Sequence, residues 1–227
     1  MQKLVALTGA GISAESGLKT FRDSNGLWEG HDVMEVASPE GWLANQALVL
    51  DFYNQRRKQA LTAQPNDAHL ILAELEAIYD VQVITQNVDN LHEKAGSTNV
   101  LHLHGQLFES RSTVDENLVY QMTDWPLNLG DLCEKGSQLR PNIVWFGEAV
   151  PMMDTAMHIT QQADIFLVVG TSMQVYPAAS LIDFVSPGSK KYLIDPNPPR
   201  NHSDLMYIEE NATSGMKKLQ KLLEQRY

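Results

Sequence analysis

The run Leu101-His102-Leu103-His104-Gly105 ends in a histidine whose ordinary pKa lies near working pH, so His104 is a candidate general base. Period-two alternation puts His102 and His104 on one face, and Gly105 lets another group approach. Taken alone, such a histidine reads as a satisfied structural imidazole, and only a nucleotide loop beside it turns the reading toward catalysis. A metal pair at 102 and 104 is disfavoured because no further ligand cluster stands nearby. Upstream, Gln86-Asn87-Val88-Asp89-Asn90 gathers amides around one acid at the end of an apolar run. Such amides can hold a carboxamide or ribose hydroxyls while Asp89 orients a polar ring, or the segment simply caps a helix. Gly170-Thr171-Ser172 offers small hydroxyls for ribose contacts, and Asp195-Pro196-Asn197-Pro198 ends another apolar run with an amide.

The nucleotide loop itself stands at the start of the chain. Leu4 to Thr8 leads straight into Gly9-Ala10-Gly11-Ile12-Ser13-Ala14-Glu15-Ser16-Gly17, with Thr20-Phe21-Arg22 close behind. A buried strand that ends in glycines and opens a helix brings bare backbone N–H groups and a helix N-terminus to one point, where a pyrophosphate can sit. A packing turn is the other reading. The spacing Gly9-x-Gly11-x-x-Ala14 satisfies the dinucleotide fingerprint. A hydride-transfer enzyme would continue with a strand ending in an acidic ribose ligand about 20 residues on. Here Arg22 to Gly30 is a polar, glycine-punctuated loop, which weighs against hydride transfer.

These residues need a sheet to hold them. Five apolar, β-branched-rich stretches read as parallel strands: Leu4 to Thr8, Val81 to Thr85, Val100 to Leu103, Ile165 to Gly170 and Lys191 to Asp195. Helical periodicity runs over Asp67 to Tyr79, with Leu70, Leu72, Leu75 and Ile78 near one stripe, and over Thr213 to Gln225, with Met216, Leu219, Leu222 and Leu223. The alternation predicts an α/β fold, a doubly wound Rossmann-like parallel sheet with a second, smaller inserted lobe. The large lobe covers about 1–30, 66–106 and 142–227. The small one is built from about 31–65, read as short helices, and 107–141, read as polar and irregular. Ile143 to Glu148 reads as a strand with which an extended peptide could pair.

A chain of 227 residues with 43% hydrophobic composition can bury a real core. Its apolar runs are strand-sized, too short for a bilayer, and the run after Lys3 breaks too early for a signal peptide. With 17 Lys and Arg against 28 Asp and Glu, the net charge of −11 argues against nonspecific nucleic-acid binding. The single cysteine, Cys133, excludes an internal disulfide and a zinc site built on several thiolates, and fits the reducing cytoplasm.

The motifs GAGISAESG at 9–17, TFR at 20–22, TQNVDNLHEKAGS at 85–97, HLHG at 102–105, VWFGE at 144–148 and GTS at 170–172 follow one another over most of the chain. In that ordered series the sequence resembles the sirtuins, NAD-dependent protein-lysine deacylases, and within them the bacterial CobB-type members. The resemblance implies one catalytic domain over 1–227 that consumes NAD as co-substrate. It assigns Gly9, Ala10, Gly11, Ile12, Thr20, Phe21, Arg22, Gln86, Asn87, Val88 and Asp89 to NAD, with Gly170, Thr171, Ser172, Asn197 and Ala212 around its adenosine half. His104 matches the family's catalytic histidine, with Asn87 beside it, and Val144, Phe146, Gly147 and Glu148 would meet the substrate. In the implied reaction the acyl oxygen of a modified lysine attacks ribose C1′ as nicotinamide leaves, and His104 helps deprotonate a ribose hydroxyl so that the acyl group migrates. Products are nicotinamide, free lysine and acyl-ADP-ribose. Transfer of ADP-ribose to protein and an NAD or ADP-ribose sensor without turnover are the alternatives.

Two departures and a variation stand against the family pattern. Where sirtuins usually carry two Cys-x-x-Cys pairs, this chain reads Ser112 to Asp115 and Cys133 to Gly136, so no structural zinc and no other metal is expected. The 107–141 segment is then held by packing alone, with Trp125, Leu127, Leu129 and Leu132 as anchors. Tyr53 and Arg56 stand three apart on a predicted helix, either as a solvated face or, by resemblance to Tyr-x-x-Arg in sirtuins that take acidic acyl groups, as partners of a succinyl or malonyl carboxylate. Periodicity does not choose between Arg56 and Arg57. The expected partners are acylated lysines of cytoplasmic proteins, with no nucleic acid and no membrane. The oligomeric state is not readable, with a monomer as the expectation.

Overall fold

The computed structural model describes residues 1–19, 27–28, 30–200 and 203–224. The chain opens with β1 (Lys3–Thr8) and the short helix α1 (Ala10–Ala14), then a small hairpin of β2 (Leu27–Trp28) and β3 (His31–Asp32). Helices α2 (Val33–Val36), α3 (Pro39–Ala44), α4 (Gln46–Thr62) and α5 (Asp67–Leu75) lead into β4 (Asp80–Thr85), α6 (Leu91–Ala95) and β5 (Val100–His102). Next come β6 (Gly105–Ser112), β7 (Val119–Gln121), β8 (Leu139–Ile143), α7 (Met153–Gln161), β9 (Ile165–Val169) and a 3₁₀ helix, Ala178–Phe184. The chain closes with β10 (Lys190–Ile194), β11 (Met206–Ile208) and α8 (Ala212–Glu224).

The main sheet has six parallel strands in the order β11-β10-β9-β1-β4-β5. Succession runs outward in opposite directions from β1, so β1 and β9 flank the switch point at which open α/β sheets leave a crevice. Period two decides what each face buries. Leu4, Ala6, Val83 and Leu167 pack with Leu72 and Leu75 of α5 and Met216 and Leu219 of α8. Val5, Leu7, Ile84 and Phe166 pack on the other side with Ala156 of α7 and Leu181 of the 3₁₀ helix. The sheet is thus doubly wound. Helix α5 ends at Leu75, so Ile78 lies beyond it at 43% exposed and Leu70 faces out at 39%. The buried stripe is instead Ala68, Ile71, Leu72 and Leu75, the i, i+3, i+4, i+7 set.

Residues 107–141 are not irregular. They contain most of a three-stranded antiparallel sheet, β7-β6-β8. Its apolar signal is weak because two buried positions of β6 hold Ser110 and Ser112. This sheet and helices α2 to α4 enclose a third core in which Trp42, Leu50, Phe52 and Tyr53 meet Leu107, Leu127, Ile143 and Trp145.

That region is not held by packing alone. Of the expected anchors Leu127 is buried and Trp125 half-buried, while Leu129 and Leu132 are 57% and 54% exposed. Polar clasps take their place. Asn54 Nδ2 donates to Leu127 O at 3.0 Å, and its Oδ1 accepts from Leu127 N at 2.9 Å and from Arg57 Nη1 at 2.8 Å. Farther out, Cys133 Sγ lies 3.3 Å from Ser112 Oγ and 3.1 Å from Ser137 Oγ, and Lys135 pairs with Asp115 at 2.6 Å. Asn54→Ala strands a buried guanidinium N–H and the amide and carbonyl of Leu127. It is expected to cost about 3 kcal/mol, read as a lower midpoint in urea unfolding.

Candidate functional site

Five strands of the main sheet deliver their C-terminal ends, or the residues just past them, to one cavity of about 660 Å³. After β1 come Gly9, Ala10 and Gly11; after β4, Gln86, Asn87, Val88 and Asp89; after β5, His104. Gly170, Thr171 and Ser172 follow β9, Asn197 follows β10, and Ala212 opens α8. Tyr53 and Arg56 of α4 line the same cavity, as do Val144, Phe146, Gly147 and Glu148. Every sequence-expected site residue within the described part of the chain lines this cavity except Ile12, whose side chain is fully buried in the core. Thr20, Phe21 and Arg22 lie outside the described residues.

The glycine loop does not present bare amides throughout. Gly9 N–H donates to Val169 O at 3.1 Å, Gly11 N–H to Gly170 O at 2.8 Å and Ile12 N–H to Gly9 O at 3.1 Å. What the glycines provide is close approach. A Cβ on Gly170, whose φ is +62°, would stand 2.2 Å from Ile12 N, and one on Gly11 2.7 Å from Gly170 Cα. No side chain fits at either position.

Beneath the loop lies a polar hub. Ser13 Oγ donates to Asp89 Oδ2 at 3.0 Å and accepts from Asn87 Nδ2 at 3.1 Å, and Asn87 Nδ2 also reaches Gly9 O at 3.1 Å. Leu91 N donates to Asp89 Oδ1 at 3.1 Å. Burial nevertheless pushes the Asp89 carboxyl above the usual carboxylate range, against the pull of the Leu91 and Ser13 hydrogen bonds. Ser13 was missed by sequence reasoning. Its signal is a hydroxyl four residues after Gly9 on the first turn of α1, the spacing that turns it toward the strand ends.

The two histidines of the HLHG run do different work. His104 Nδ1 lies 3.0 Å from Gln86 O and His102 Nδ1 lies 3.1 Å from Asn87 O. A carbonyl only accepts, so each Nδ1 carries the proton and both rings clamp the 86–89 loop. His102 spends its Nε2 on Glu93 Oε1 at 2.7 Å. Burial depresses its pKa, but the Glu93 hydrogen bond and charge outweigh that and leave it raised. Burial lowers the pKa of His104, and the bond to Gln86 O offsets only part of this. A neutral imidazole with Nδ1–H fixed presents an unprotonated Nε2, the form a general base requires.

Tyr53 is fully buried and its hydroxyl accepts from Trp145 Nε1 at 3.1 Å, so its own proton remains for another acceptor. Arg56 lies with its guanidinium 4.3 Å from the centre of the Trp28 ring. The segment 144–148 is not a strand; β8 ends at Ile143. Val144 N–H donates to His104 O, Phe146 N–H to Ala37 O and Glu148 N–H to Trp145 O, so these amides are already engaged within the chain. Glu148 braces the turn: its carboxylate takes Arg140 Nη1 at 2.7 Å, Arg111 Nη2 at 3.2 Å and Trp145 N at 2.8 Å. Burial raises its pKa, and the Arg140 bond and its neighbours pull it below the usual range. Among the described residues no three His, Cys, Asp or Glu gather as a metal site would require.

The chain matches the Sir2 family over residues 9–177. It is 56% identical over 227 residues to an NAD-dependent protein deacylase of Helicobacter pylori, covering 99% of each chain. A protein of the same name from Bacteroides thetaiotaomicron is 49% identical over 230 residues, with 98% of each covered. Among solved structures, a Sir2 homologue in complex with NAD superimposes with a TM-score of 0.89 at 41% identity, over 99% of this chain and 90% of that one.

The histidine assignments make opposite predictions for one NMR titration of the ring carbons. His104 is expected to titrate below the ordinary imidazole value and His102 above it; a reversed order would refute burial of His104 and the Glu93 partnership of His102 as the controlling causes.

Proposed function

We infer that this chain, which belongs to the Sir2 family, is an NAD-dependent protein deacylase that acts on acidic acyl groups of lysine, succinyl and malonyl, and also on acetyl. The observation that carries the acyl preference is that Tyr53 and Arg56 of α4 line the same cavity as His104. Arg56 offers a planar fork of N–H donors and Tyr53 an O–H donor, the pair suited to a distal carboxylate.

The donor set fits NAD. The turns at 9–11 and 170–172 border the cavity, and the side chains of Gln86, Asn87, Thr171, Ser172 and Asn197 are neutral groups suited to ribose hydroxyls and a carboxamide. A cavity of about 660 Å³ lies within the size range of cofactor sites. Bound NAD supplies a ribose C1′ from which nicotinamide departs as the acyl oxygen bonds. In the reading proposed here, Ser13, Asn87 and Asp89 orient the nicotinamide end, and the 9–12 loop and residues 170–172, 197 and 212 hold the rest. His104 receives a hydroxyl proton at Nε2 while Gln86 O keeps its ring in place. The apolar wall of Trp145, Phe146 and Val144 shields the site from water. No side-chain nucleophile is needed, and rate comes from positioning.

We further propose that the whole chain is one catalytic unit whose small lobe, about 31–65 and 107–141, needs no structural zinc. The hydrogen-bonded Ser112, Cys133 and Ser137 and the Lys135–Asp115 pair join the segments that would otherwise share the metal. Its substrates are taken to be acylated lysines of cytoplasmic proteins, which the single cysteine supports, and a monomer suffices because one chain lines the whole cavity.

Incubation with NAD and acetyl-, succinyl- or malonyl-lysine peptides, followed by mass spectrometry of nicotinamide and acyl-ADP-ribose, tests the activity. No nicotinamide with any of the three defeats it. Arg56→Met is expected to lower succinyl turnover at least about tenfold more than acetyl turnover, the loss of a bidentate charge-assisted contact, whereas equal losses refute carboxylate pairing. Exhaustive chelation is expected to leave the melting temperature and zinc content unchanged. A stoichiometric zinc by elemental analysis would contradict the metal-free reading.

A further inference from the structure

Arg57, beside Arg56 on α4, faces away from the cavity and is fully buried. Its Nε donates to Leu107 O at 2.6 Å and its Nη1 to Asn54 Oδ1 at 2.8 Å, both neutral acceptors. Its Nη2 finds no hydrogen-bond partner, and among the described residues no carboxylate pairs with it. Arg111 and Arg140, by contrast, share the carboxylate of Glu148. A buried guanidinium without a counter-charge is costly, and a fold that keeps one gains when an anion arrives nearby. Burial pulls its pKa down to about 10, with the Tyr53 charge opposing, so it stays cationic at neutral pH. Burial also drives the Tyr53 hydroxyl up to about 12, and Arg56, Arg140 and Arg57 all act on it as positive charges in the opposite sense. Of these, Arg140 is paired with the Glu148 carboxylate. Leu107, whose carbonyl Arg57 holds, lines the same cavity.

We propose that Arg57 is a specificity-determining positioning residue: its buried, uncompensated charge adds to that of Arg56 in favouring a carboxylate-bearing acyl chain that it does not itself touch. The inference rests on the acidic-acyl reading above. It predicts that the positive potential at the acyl end persists when the Arg57 clasp is broken but its charge is kept.

The test measures kcat and KM of the natural chain, Arg57→Met, Arg57→Lys and Asn54→Ala on one peptide carrying either succinyl- or acetyl-lysine. In Arg57→Met the KM for succinyl is expected to rise about tenfold more than that for acetyl, the size expected for one charge acting through a partly desolvated site. Arg57→Lys, which keeps the charge but not the fork, restores most of the succinyl-to-acetyl ratio, and Asn54→Ala, which breaks the clasp, retains it. Equal losses on both substrates in Arg57→Met, or a ratio that collapses in Asn54→Ala, would show a clasp alone and overturn the proposal. The Asn54→Ala and Arg57→Lys arms decide the matter even if Arg57→Met fails to fold. A natural chain without succinyl or malonyl turnover overturns the acidic-acyl reading and this one together. A natural preference that survives intact in Arg57→Met overturns this one alone.

Discussion

The contact between the turn after β1 and the turn after β9 sets the geometry of everything above the sheet. Gly11 N–H bonds to Gly170 O and Gly9 N–H to Val169 O, and the backbones lie so close that neither Gly11 nor Gly170 has space for a methyl group. Two neighbouring parallel strands are thereby welded at their C-terminal ends. Their exit directions, one into α1 and one toward residues 171–177, define the width of the cavity between them. Ser13 and Thr171 occupy their positions because this weld is tight. Gln86, reaching Thr171 Oγ1 at 3.3 Å, spans from the third strand end to the second.

A second layer of organisation runs through buried polar groups. Thr8 and Thr85 join side chains across β1 and β4 at 2.9 Å, and Thr8 meets His92 at 3.0 Å. Thr85 also accepts from Asn87 N at 3.0 Å. Removing one partner leaves a group stranded in a dry interior. The amide loop and the histidine that faces it are therefore shaped by the same hidden network that fastens the strands.

Much of this was legible in the sequence. The central strands announced themselves as unbroken apolar runs, and the ends of those runs carried many of the cavity's polar side chains, from Gln86 to Asn197. What escaped was of another kind. The three-residue strand β11 is shorter than any periodicity can register, and β6 buries Ser110 and Ser112 where a pattern search wants Val or Leu. Leu129 and Leu132 looked like anchors by hydropathy alone, yet hydrogen bonds from Asn54 secure Leu127 and leave them in solvent. The amides of the glycine loop looked free because sequence shows donors but not the carbonyls of β9 that receive them. Arg56 and Arg57 were indistinguishable as letters. Only the rotation of α4 turns one to the cavity and sinks the other in the core.

The arginines around Tyr53 acquire a different meaning when set against the whole molecule. The chain carries a net charge of −11, so its far field repels anions, yet Arg56, Arg57 and Arg140 gather near Tyr53. At physiological salt the outer field fades over about 8 Å, so an approaching chain senses first the acidic exterior and only at contact the arginines. A basic segment is drawn toward such an exterior, whereas a uniformly acidic one is slowed on approach, whichever acyl group it carries.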